Sequence, residues 1–438
     1  MQRGATFACL LLSLCVADIQ GAYGPARGGG APHGEIIGAS LEDVEANPVP
    51  HGLYPTYIRY PFLGHGTCFP PVKRGDVYDV RCLGPEEYLS PGQVKNALAL
   101  LPSPYLHNGL LVVINQTTQI IGAAGQPVPL NEVYMHHYVG ATTMLIESGA
   151  ELRGRFTREP LKWPYALVVD SESLLSAKSR VFNIYLISTA GVLPGKDIDR
   201  CLQCPCDDDP SRGGFSCCKT CNTTTPGPAR AYRFEYNVTY RPLLPEERPR
   251  VKGVDLMWYD ITGNEEGIEY QILDTSNTTH IKTYETTVDA DCPQQEEFEI
   301  VRCVGHQHIG SRCITLYNAE TDETICQSCP VYGNVTGEAG NEKGYVVKMT
   351  DDTLAVPYKI SPGTRVRLES AYDGTERRTG VMGLMHTWVA GLGVPCYREY
   401  GYNSYHHWHR YHRHPTGYAE GTHAPALKML RTSVDHAA

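Results

Sequence analysis

The stretch VYMHHYVG, residues 133–140, is an apolar run typical of a buried β-strand, and it carries the adjacent histidines His136 and His137. Side chains on a strand point alternately to opposite faces, so neighbouring histidines reach one object only at a strand end or a bulge. Core histidines are also common with one ring nitrogen bonded to a carbonyl. The pair therefore indicates either a metal site on an irregular strand or two satisfied core histidines.

Similar short apolar or alternating runs surround this stretch, including LLVVINQ, YALVVDS and VFNIYLIS, with the turn signals PG, GQP and ESG between them. This pattern predicts a β-sandwich over residues 36–200. A second strand-rich block, residues 230–395, contains RFEYNVTY, VDLMWYDI, GYVVKMT and TRVRLES. The predicted fold is therefore all-β, with two β-sandwich, jelly-roll-like domains.

The first residues carry the marks of a secretory signal peptide: a basic Arg3, an apolar run and small residues near Gly21. We expect residues 1–21 to be this signal and residues 22–35, rich in Gly and Pro, to be a flexible tail. No later segment approaches the eighteen or so apolar residues that span a bilayer, so no transmembrane segment is predicted. The expected location is extracellular or in the cell wall.

The net charge bears on which partners the protein can bind, and the sequons bear on its glycosylation. A formal net charge of −10 argues against a nucleic-acid partner, because neutralising phosphates requires lysine and arginine. A small molecule, a peptide or a wall polymer stays open as the substrate, and no pattern indicates an oligomeric state. Glycosylation is predicted at five N-x-[ST] sequons, which begin at Asn115, Asn222, Asn237, Asn277 and Asn334.

Cysteines are concentrated in residues 201–229, which we interpret as an insertion between the two domains. The chain has 16 cysteines, and 14 of them follow the predicted signal. In principle the cluster could hold zinc through thiolates, but an exported protein favours disulfides. The six cysteines expected to form them are Cys201, Cys204, Cys206, Cys217, Cys218 and Cys221.

In the second block, VGHQHIG places His306 and His308 two residues apart. On a strand both imidazoles project from the same face, so two ring nitrogens could coordinate one zinc or copper ion. The alternative is a pair of half-exposed histidines on a solvated face. Downstream, the Gly-rich stretch GVMGLMHTWV contains Met385, whose thioether would select for copper beside two histidines.

A histidine-rich tail closes the chain over residues 396–438. Such tracts bind divalent metal loosely, and they also act as pH-sensitive surface segments, so both interpretations stay open. Five of its histidines fall within nine residues: His406, His407, His409, His412 and His414.

The order HH, then HxH, then a Gly-rich turn with Met resembles the copper monooxygenases typified by peptidylglycine α-hydroxylating monooxygenase and dopamine β-hydroxylase. The resemblance implies two β-sandwich domains with one copper each. His136 and His137 would serve the electron-transfer copper, for which Tyr185 stands at the expected place of the third histidine. His306, His308 and Met385 would serve the copper where oxygen reacts.

A longer resemblance, over residues 36–390, is to the stress up-regulated nodulin family of secreted plant-type proteins. It rests on VYMHHYVG, CLQCPC with GGFSCC, VGHQHIG, and the stretch from GNEKGYVVKMT to GVMGLM. Two functions follow as hypotheses: a two-copper monooxygenase that hydroxylates a C–H bond with dioxygen and a reductant, or a non-catalytic extracellular or cell-wall glycoprotein that binds copper.

Overall fold

The computed structural model describes most of the chain between residues 62 and 390, and this part is almost entirely β. The described residues are 62–102, 104–105, 109–140, 147–150, 161–170, 179–192, 201–214, 217–218, 221, 223–224, 227–263, 268–288 and 297–390. The predicted signal peptide, the Gly/Pro tail, the histidine-rich tail and the sequon at Asn222 lie outside these residues.

The described strands are numbered in chain order. They are β1 Phe62–His65, β2 Thr67–Cys68, β3 Val72–Arg74, β4 Val77–Leu89, β5 Val94–Pro102, β6 Leu110–Gly122, β7 Val133–Gly140, β8 Glu147–Ser148, β9 Tyr165–Asp170, β10 Ser179–Ser188, β11 Arg230–Pro242, β12 Lys252–Asp260, β13 Glu269–Ile272, β14 Thr279–Thr287, β15 Phe298–Gln307, β16 Ser311–Asn318, β17 Thr324–Ser328, β18 Pro330–Tyr332, β19 Val346–Met349, β20 Asp351–Ile360, β21 Arg365–Asp373 and β22 Arg378–Ala390.

The first block is a sandwich of two sheets. One sheet has the strand order β1-β5-β10-β7-β8, and the other contains β2-β4-β11-β6. Between them lies a core to which Met135, Leu186 and the inward side chains of β11 contribute. On β11 the alternation is clear, since Phe234, Tyr236 and Val238 are all buried. Alternating apolar positions thus form the buried face that the sequence predicts.

The second block is a sandwich built the same way. The order β12-β22-β15-β20 forms one sheet and β14-β21-β16-β17 the other. Their shared core includes Val304, Ile314, Leu368 and Met385, all nearly inaccessible to solvent. The all-β, sandwich-like fold class is therefore confirmed.

The two sandwiches are joined by a continuous sheet. Strand β9 pairs antiparallel with β6 and parallel with β12, so the path β2-β4-β11-β6-β9-β12-β22-β15-β20 runs through both blocks. Strand β11, which the sequence analysis places at the start of the second domain, pairs with β4 and β6 of the first. Alternation along a strand shows that one face is buried but does not specify the partner strands, so this assignment required the structure.

Six disulfides lie within the described residues, and three of them tie the insertion together. Its six cysteines all pair, as Cys201–Cys221, Cys204–Cys218 and Cys206–Cys217. The disulfide prediction is confirmed, and the zinc-thiolate alternative is excluded because no free thiolate is left among the six. The other pairs are Cys68–Cys82, Cys303–Cys326 and Cys313–Cys329. So many disulfides identify an oxidising, extracellular compartment.

Four of the five sequons are described. Asn277 and Asn334 are exposed, whereas Asn115 and Asn237 lie half-buried on β6 and β11. Glycosylation stays a prediction at all of them, and solvent access is better at the exposed pair. Within the described residues, no helix combines the length and apolar character needed to cross a membrane.

At the end of β12, a buried aspartate gives stability a pH dependence. Burial raises the pKa of Asp260 to about 6, although Thr262 donates hydrogen bonds to it from its backbone N–H and hydroxyl. In the unfolded chain the pKa of an aspartate is about 3.9. The native state therefore binds the proton more tightly, and stability falls as pH rises from about 4 through about 6.

We expect Asp260→Asn to remove this dependence. The native pKa of Asp260 is about two above the unfolded value, and this difference corresponds to about 3 kcal/mol in the free energy of unfolding. The free energy of unfolding is measured with denaturant at pH 4 and pH 7.5. Relative to the wild type, that of the variant should be higher at pH 7.5 than at pH 4 by up to this amount. Asp274→Asn is the matched control, because that exposed aspartate accepts a similar backbone hydrogen bond from Ser276 and has a lowered pKa. Equal pH profiles for Asp260→Asn and the wild type would contradict the expectation.

Candidate metal centre

The adjacent histidines lie at a β-bulge. Along the pairing of β7 with β10, His137 is opposite Tyr185 and Met135 is opposite Leu186, which leaves His136 as the extra residue. A bulge turns the backbone so that consecutive side chains no longer point to strictly opposite faces. The irregularity that an HH pair needs in order to reach one object is therefore present, and binding of an ion by the pair stays a prediction.

The second histidine pair lies at the end of β15. His306 is the penultimate residue of that strand, and His308 follows its last residue. The backbone N–H of His308 donates to the Tyr372 hydroxyl at 2.8 Å, and that hydroxyl donates to the carbonyl oxygen of Met382 at 2.7 Å. Tyr372 therefore fixes His308 to β22.

The two pairs, predicted to serve separate sites, form one cluster. Ring centroids are 5.5 Å apart for His136 and His137, and 5.4 Å apart for His306 and His308. Across the boundary between the blocks, the His136 and His308 rings are 5.1 Å apart. We call these four residues the histidine cluster. Each close pair meets edge to face, with interplanar angles of 81°, 88° and 81° in the same order.

The histidine cluster is largely shielded from solvent. His136, His306 and His308 are each at most 9% exposed, and His137 is half-buried. Burial, reinforced by the positive charge that the other three imidazoles can carry, holds the pKa of His136 well below its usual value. His136 is therefore a neutral imidazole at neutral pH, the form that ligates metals. Its Nδ1 is buried and has no hydrogen-bond partner among the described residues.

The register of β15 and β22 does not bring Met385 to the histidine cluster. Met385 is opposite Gly305 and lies in the core between the two sheets of the second block, whereas His306 is opposite Leu384. Residues directly opposite in a sheet share a face, and so do residues two apart. The methionine on the His306 face is therefore Met382, which is buried. The sequence stretch contains both, and only the register separates them.

Tyr185 packs between the adjacent histidines and the insertion. Its ring centroid is 4.7 Å from that of His136 and 5.2 Å from that of His137. Its hydroxyl is 3.7 Å from Sγ of Cys204. The position predicted for a third ligand of the first copper is thus next to both imidazoles, but it holds a fully buried phenol in contact with a disulfide.

Two segments that the sequence does not link to the histidines enclose them. Tyr345 and Val347 of the second block and Leu202 of the insertion join Tyr134 and Tyr185 in one apolar cluster. In the same region, a buried carboxylate of the second block, Glu342, accepts a hydrogen bond from the backbone N–H of Leu130 at 3.0 Å. No sequence signal indicates these contacts, because they depend on how the blocks meet.

The insertion contacts both blocks beside this cluster. The backbone N–H of Thr379 donates to Oε1 of Gln203 at 3.1 Å, on the second block. On the first block, the backbone N–H of Cys221 donates to the Gly92 carbonyl at 2.7 Å. Gly92 has a φ of +76°, and a Cβ there would lie only 2.3 Å from the Cys221 carbonyl oxygen. Glycine at position 92 therefore permits the insertion to dock.

The donors suit copper, although their present arrangement is not a finished coordination shell. Imidazole nitrogens and a thioether are ligands that copper accepts, Cu(I) in particular for the thioether. The buried Nδ1 of His136 has a coordination capacity that no described residue uses. Among the described residues, no three His, Cys, Asp or Glu side chains are grouped so that they could hold a metal ion as they stand. The histidine cluster therefore fits the ion by its chemistry, and its edge-to-face rings would have to turn toward it.

Comparison with known proteins identifies one family. The family described as stress up-regulated Nod 19 matches residues 149–392, which is more than half of the chain. This range includes Tyr185, the insertion, His306 and His308, and it starts after His136 and His137. No curated protein matches the chain.

Three solved structures show weak likenesses to the chain. A protein from Eubacterium rectale is 6% identical, with a TM-score of 0.20 over 68% of this chain and 69% of that one. The infectious bursal disease virus T13 particle is 9% identical, with a TM-score of 0.14 over 73% and 78%. The structure of the Gt strain of the same virus is also 9% identical, with a TM-score of 0.14 over 74% of this chain and 73% of that one. TM-scores this low carry no argument about fold or function.

Proposed function

The chain belongs to the stress up-regulated Nod 19 family, and we propose that it is an extracellular protein that binds copper through its histidine cluster. One observation carries the proposal: His136 from the first block and His308 from the second approach to 5.1 Å between ring centroids. Buried imidazoles are rarely brought together without a use, because each polar nitrogen removed from water needs a partner.

The cluster's surroundings support binding of a soft ion. Burial keeps His136 neutral, so no proton has to leave its ring at neutral pH before it binds a metal. Tyr372 holds the backbone of His308, and Tyr185 packs against both rings of the adjacent pair. Copper, when bound, would supply one-electron redox chemistry, and the buried site would keep bulk water from it.

Hydroxylation of a C–H bond is the second candidate. It is favoured by the HxH pair together with Met382, which shares a sheet face with His306; this set resembles the oxygen-reacting copper site of the monooxygenases. That mechanism uses a separate electron-transfer copper, however, and here the HH pair lies against His308 instead of holding a distinct position. We therefore propose the non-catalytic copper-binding glycoprotein as the function, with turnover as an outcome to be tested.

Copper stoichiometry tests the proposal. The full-length protein, with all seven histidines of residues 396–438 replaced by glutamine so that they cannot contribute, is titrated with Cu(I) against a chromophoric chelator. We expect one tightly bound ion per chain, because the four imidazoles form one cluster. Two tightly bound ions, together with ascorbate-driven oxygen consumption, would favour the monooxygenase; no bound ion would refute copper binding.

The two methionines provide a matched pair of variants for the same titration. Met382→Leu removes the thioether on the His306 face, and Met385→Leu removes the one in the core, both with little change in side-chain volume. We expect the affinity for Cu(I) to fall only with Met382→Leu. A loss only with Met385→Leu would restore the ligand set that the sequence predicts.

A further inference from the structure

One disulfide of the insertion is in contact with a buried tyrosine. The Tyr185 hydroxyl is 3.7 Å from Sγ of Cys204, the inner cysteine of the Cys204–Cys218 pair. The same sulfur is 3.5 Å from the carbonyl oxygen of Cys201 and 3.8 Å from that of Leu202. A hydroxyl donor and two carbonyl acceptors thus surround the sulfur atom.

The two cysteines of this disulfide differ in exposure. Cys204 is 3% exposed, whereas Cys218 is partly exposed at the surface of the insertion. Cys218 is therefore the cysteine of the pair that an external thiol approaches more readily. The direction of any exchange is set by this difference, because the sulfur that is attacked keeps the incoming thiol and the other one leaves.

We propose that the Cys204–Cys218 disulfide is a thiol-exchange site, at which a small external thiolate attacks Sγ of Cys218 and Cys204 departs as a thiolate. A new sulfur–sulfur bond forms between the thiol and Cys218 while the Cys204–Cys218 bond breaks. The bonding electron pair stays on Cys204. The step needs no oxidant or metal, and it goes beyond copper binding.

The surroundings of Cys204 stabilise the leaving group. The Tyr185 hydroxyl can donate to the thiolate, and hydrogen bonds to charged groups are among the stronger ones. Once the sulfur takes a proton from solvent, the carbonyl oxygens of Cys201 and Leu202 can accept the S–H. Both protonation states of the departed sulfur therefore have partners already in place.

The backbone at Cys204 also favours opening. Cys204 has a φ of +47°, one of two positive values among the described non-glycine residues. The backbone of a residue other than glycine is strained in this left-handed region, and such strain persists only where the surrounding structure enforces it. The cross-link to Cys218 is one of the constraints that enforce it, so breaking the bond permits the strain to relax.

Other disulfides serve as internal comparisons. Cys303–Cys326 is inaccessible at both sulfurs, with exposures of 0% and 1%. Cys201–Cys221 and Cys206–Cys217 belong to the same insertion and have one partly exposed cysteine each. Exposure alone would let these two react as fast as Cys204–Cys218.

The test is the order in which the disulfides react in the native full-length protein. Reduced glutathione is added without denaturant, samples are quenched with an alkylating reagent, and cysteine-containing peptides are mapped by mass. We expect the first product to carry glutathione on Cys218 and the alkyl group on Cys204. Glutathione on Cys204, or earlier opening of Cys201–Cys221 or Cys206–Cys217, would overturn the proposal without any variant.

A pair of tyrosine variants tests the role of the hydroxyl. Tyr185→Phe should slow the appearance of the Cys218 adduct about tenfold, since one hydrogen bond to the leaving thiolate is lost. Tyr134→Phe removes another buried phenol of the same apolar cluster and should leave the rate unchanged. Equal rates for Tyr185→Phe and the wild type would contradict the proposed leaving-group role. The copper titration is a separate measurement, so either proposal can fail while the other stands.

Discussion

Replacing His136 and His137 with alanine is expected to abolish the same copper-binding event that His306→Ala with His308→Ala abolishes. The reason is the 5.1 Å approach of the His136 and His308 rings, which makes the two pairs parts of one site. Even residues that only support a metal ligand typically contribute about 10- to 100-fold to affinity. Loss of two imidazoles from either side should therefore weaken Cu(I) binding by more than about 100-fold.

The four-fold variant separates one shared site from two independent ones. With one shared site, the effects of the two double variants are strongly non-additive, and the four-fold variant binds no more weakly than either. With two independent sites, each double variant removes one ion and leaves the other at full affinity. Binding is measured against a chelator in the background in which all seven histidines of residues 396–438 are replaced, and circular dichroism confirms that each variant is folded.

His280→Ala is a suitable control for this experiment. His280 is a half-buried histidine on β14, in the four-stranded sheet of the second block, and its ring lies near Tyr270 at 6.4 Å between centroids. Its removal should leave copper affinity unchanged. If the adjacent pair can be deleted with no loss of affinity, His136 and His137 are packed core histidines, as one interpretation of the sequence holds.

Local patterns were sufficient to predict the sandwiches and the disulfides. The alternation in RFEYNVTY gives a strand with one buried face, because only a period of two places Phe234, Tyr236 and Val238 together. The insertion has many cysteines and few large apolar residues, so covalent ties are the available source of stability. Both features depend on residues close together in the chain.

Features that depend on distant parts of the chain could not be predicted in the same way. That His136 meets His308 follows from the way the blocks meet around Tyr345 and the insertion, which no local pattern encodes. The choice between Met382 and Met385 is similar, because the strands' register decides it and a shift of one residue exchanges the two faces. The resemblance to two-copper enzymes pointed to these four histidines but assigned them to two separate sites.

The second large effect is expected from Tyr372→Phe, which removes one hydroxyl from the second sandwich. Tyr372 is fully buried, accepts a hydrogen bond from the His308 N–H at 2.8 Å and donates one to the Met382 carbonyl oxygen at 2.7 Å. Without the hydroxyl, a buried donor and a buried acceptor lose their partners. Each such loss costs about 1 to 3 kcal/mol, so the free energy of unfolding should fall by about 2 to 6 kcal/mol.

The same variant also tests whether copper binding by the histidine cluster depends on the hydrogen bond that fixes the backbone of His308. Because the lost hydroxyl joins His308 to Met382, the methionine on the His306 face, we expect Tyr372→Phe to lower copper affinity about tenfold, as second-layer partners of metal sites do. Tyr358→Phe is the control: its half-exposed hydroxyl bonds to Asn318 at 3.1 Å and Glu323 at 3.2 Å, where water can replace it. Stability is measured by denaturant unfolding of the metal-free protein and affinity by chelator competition. A loss of stability with unchanged affinity would show that His308 keeps its position without the hydroxyl. A loss of both would show that copper binding depends on the hydroxyl that joins His308 to β22.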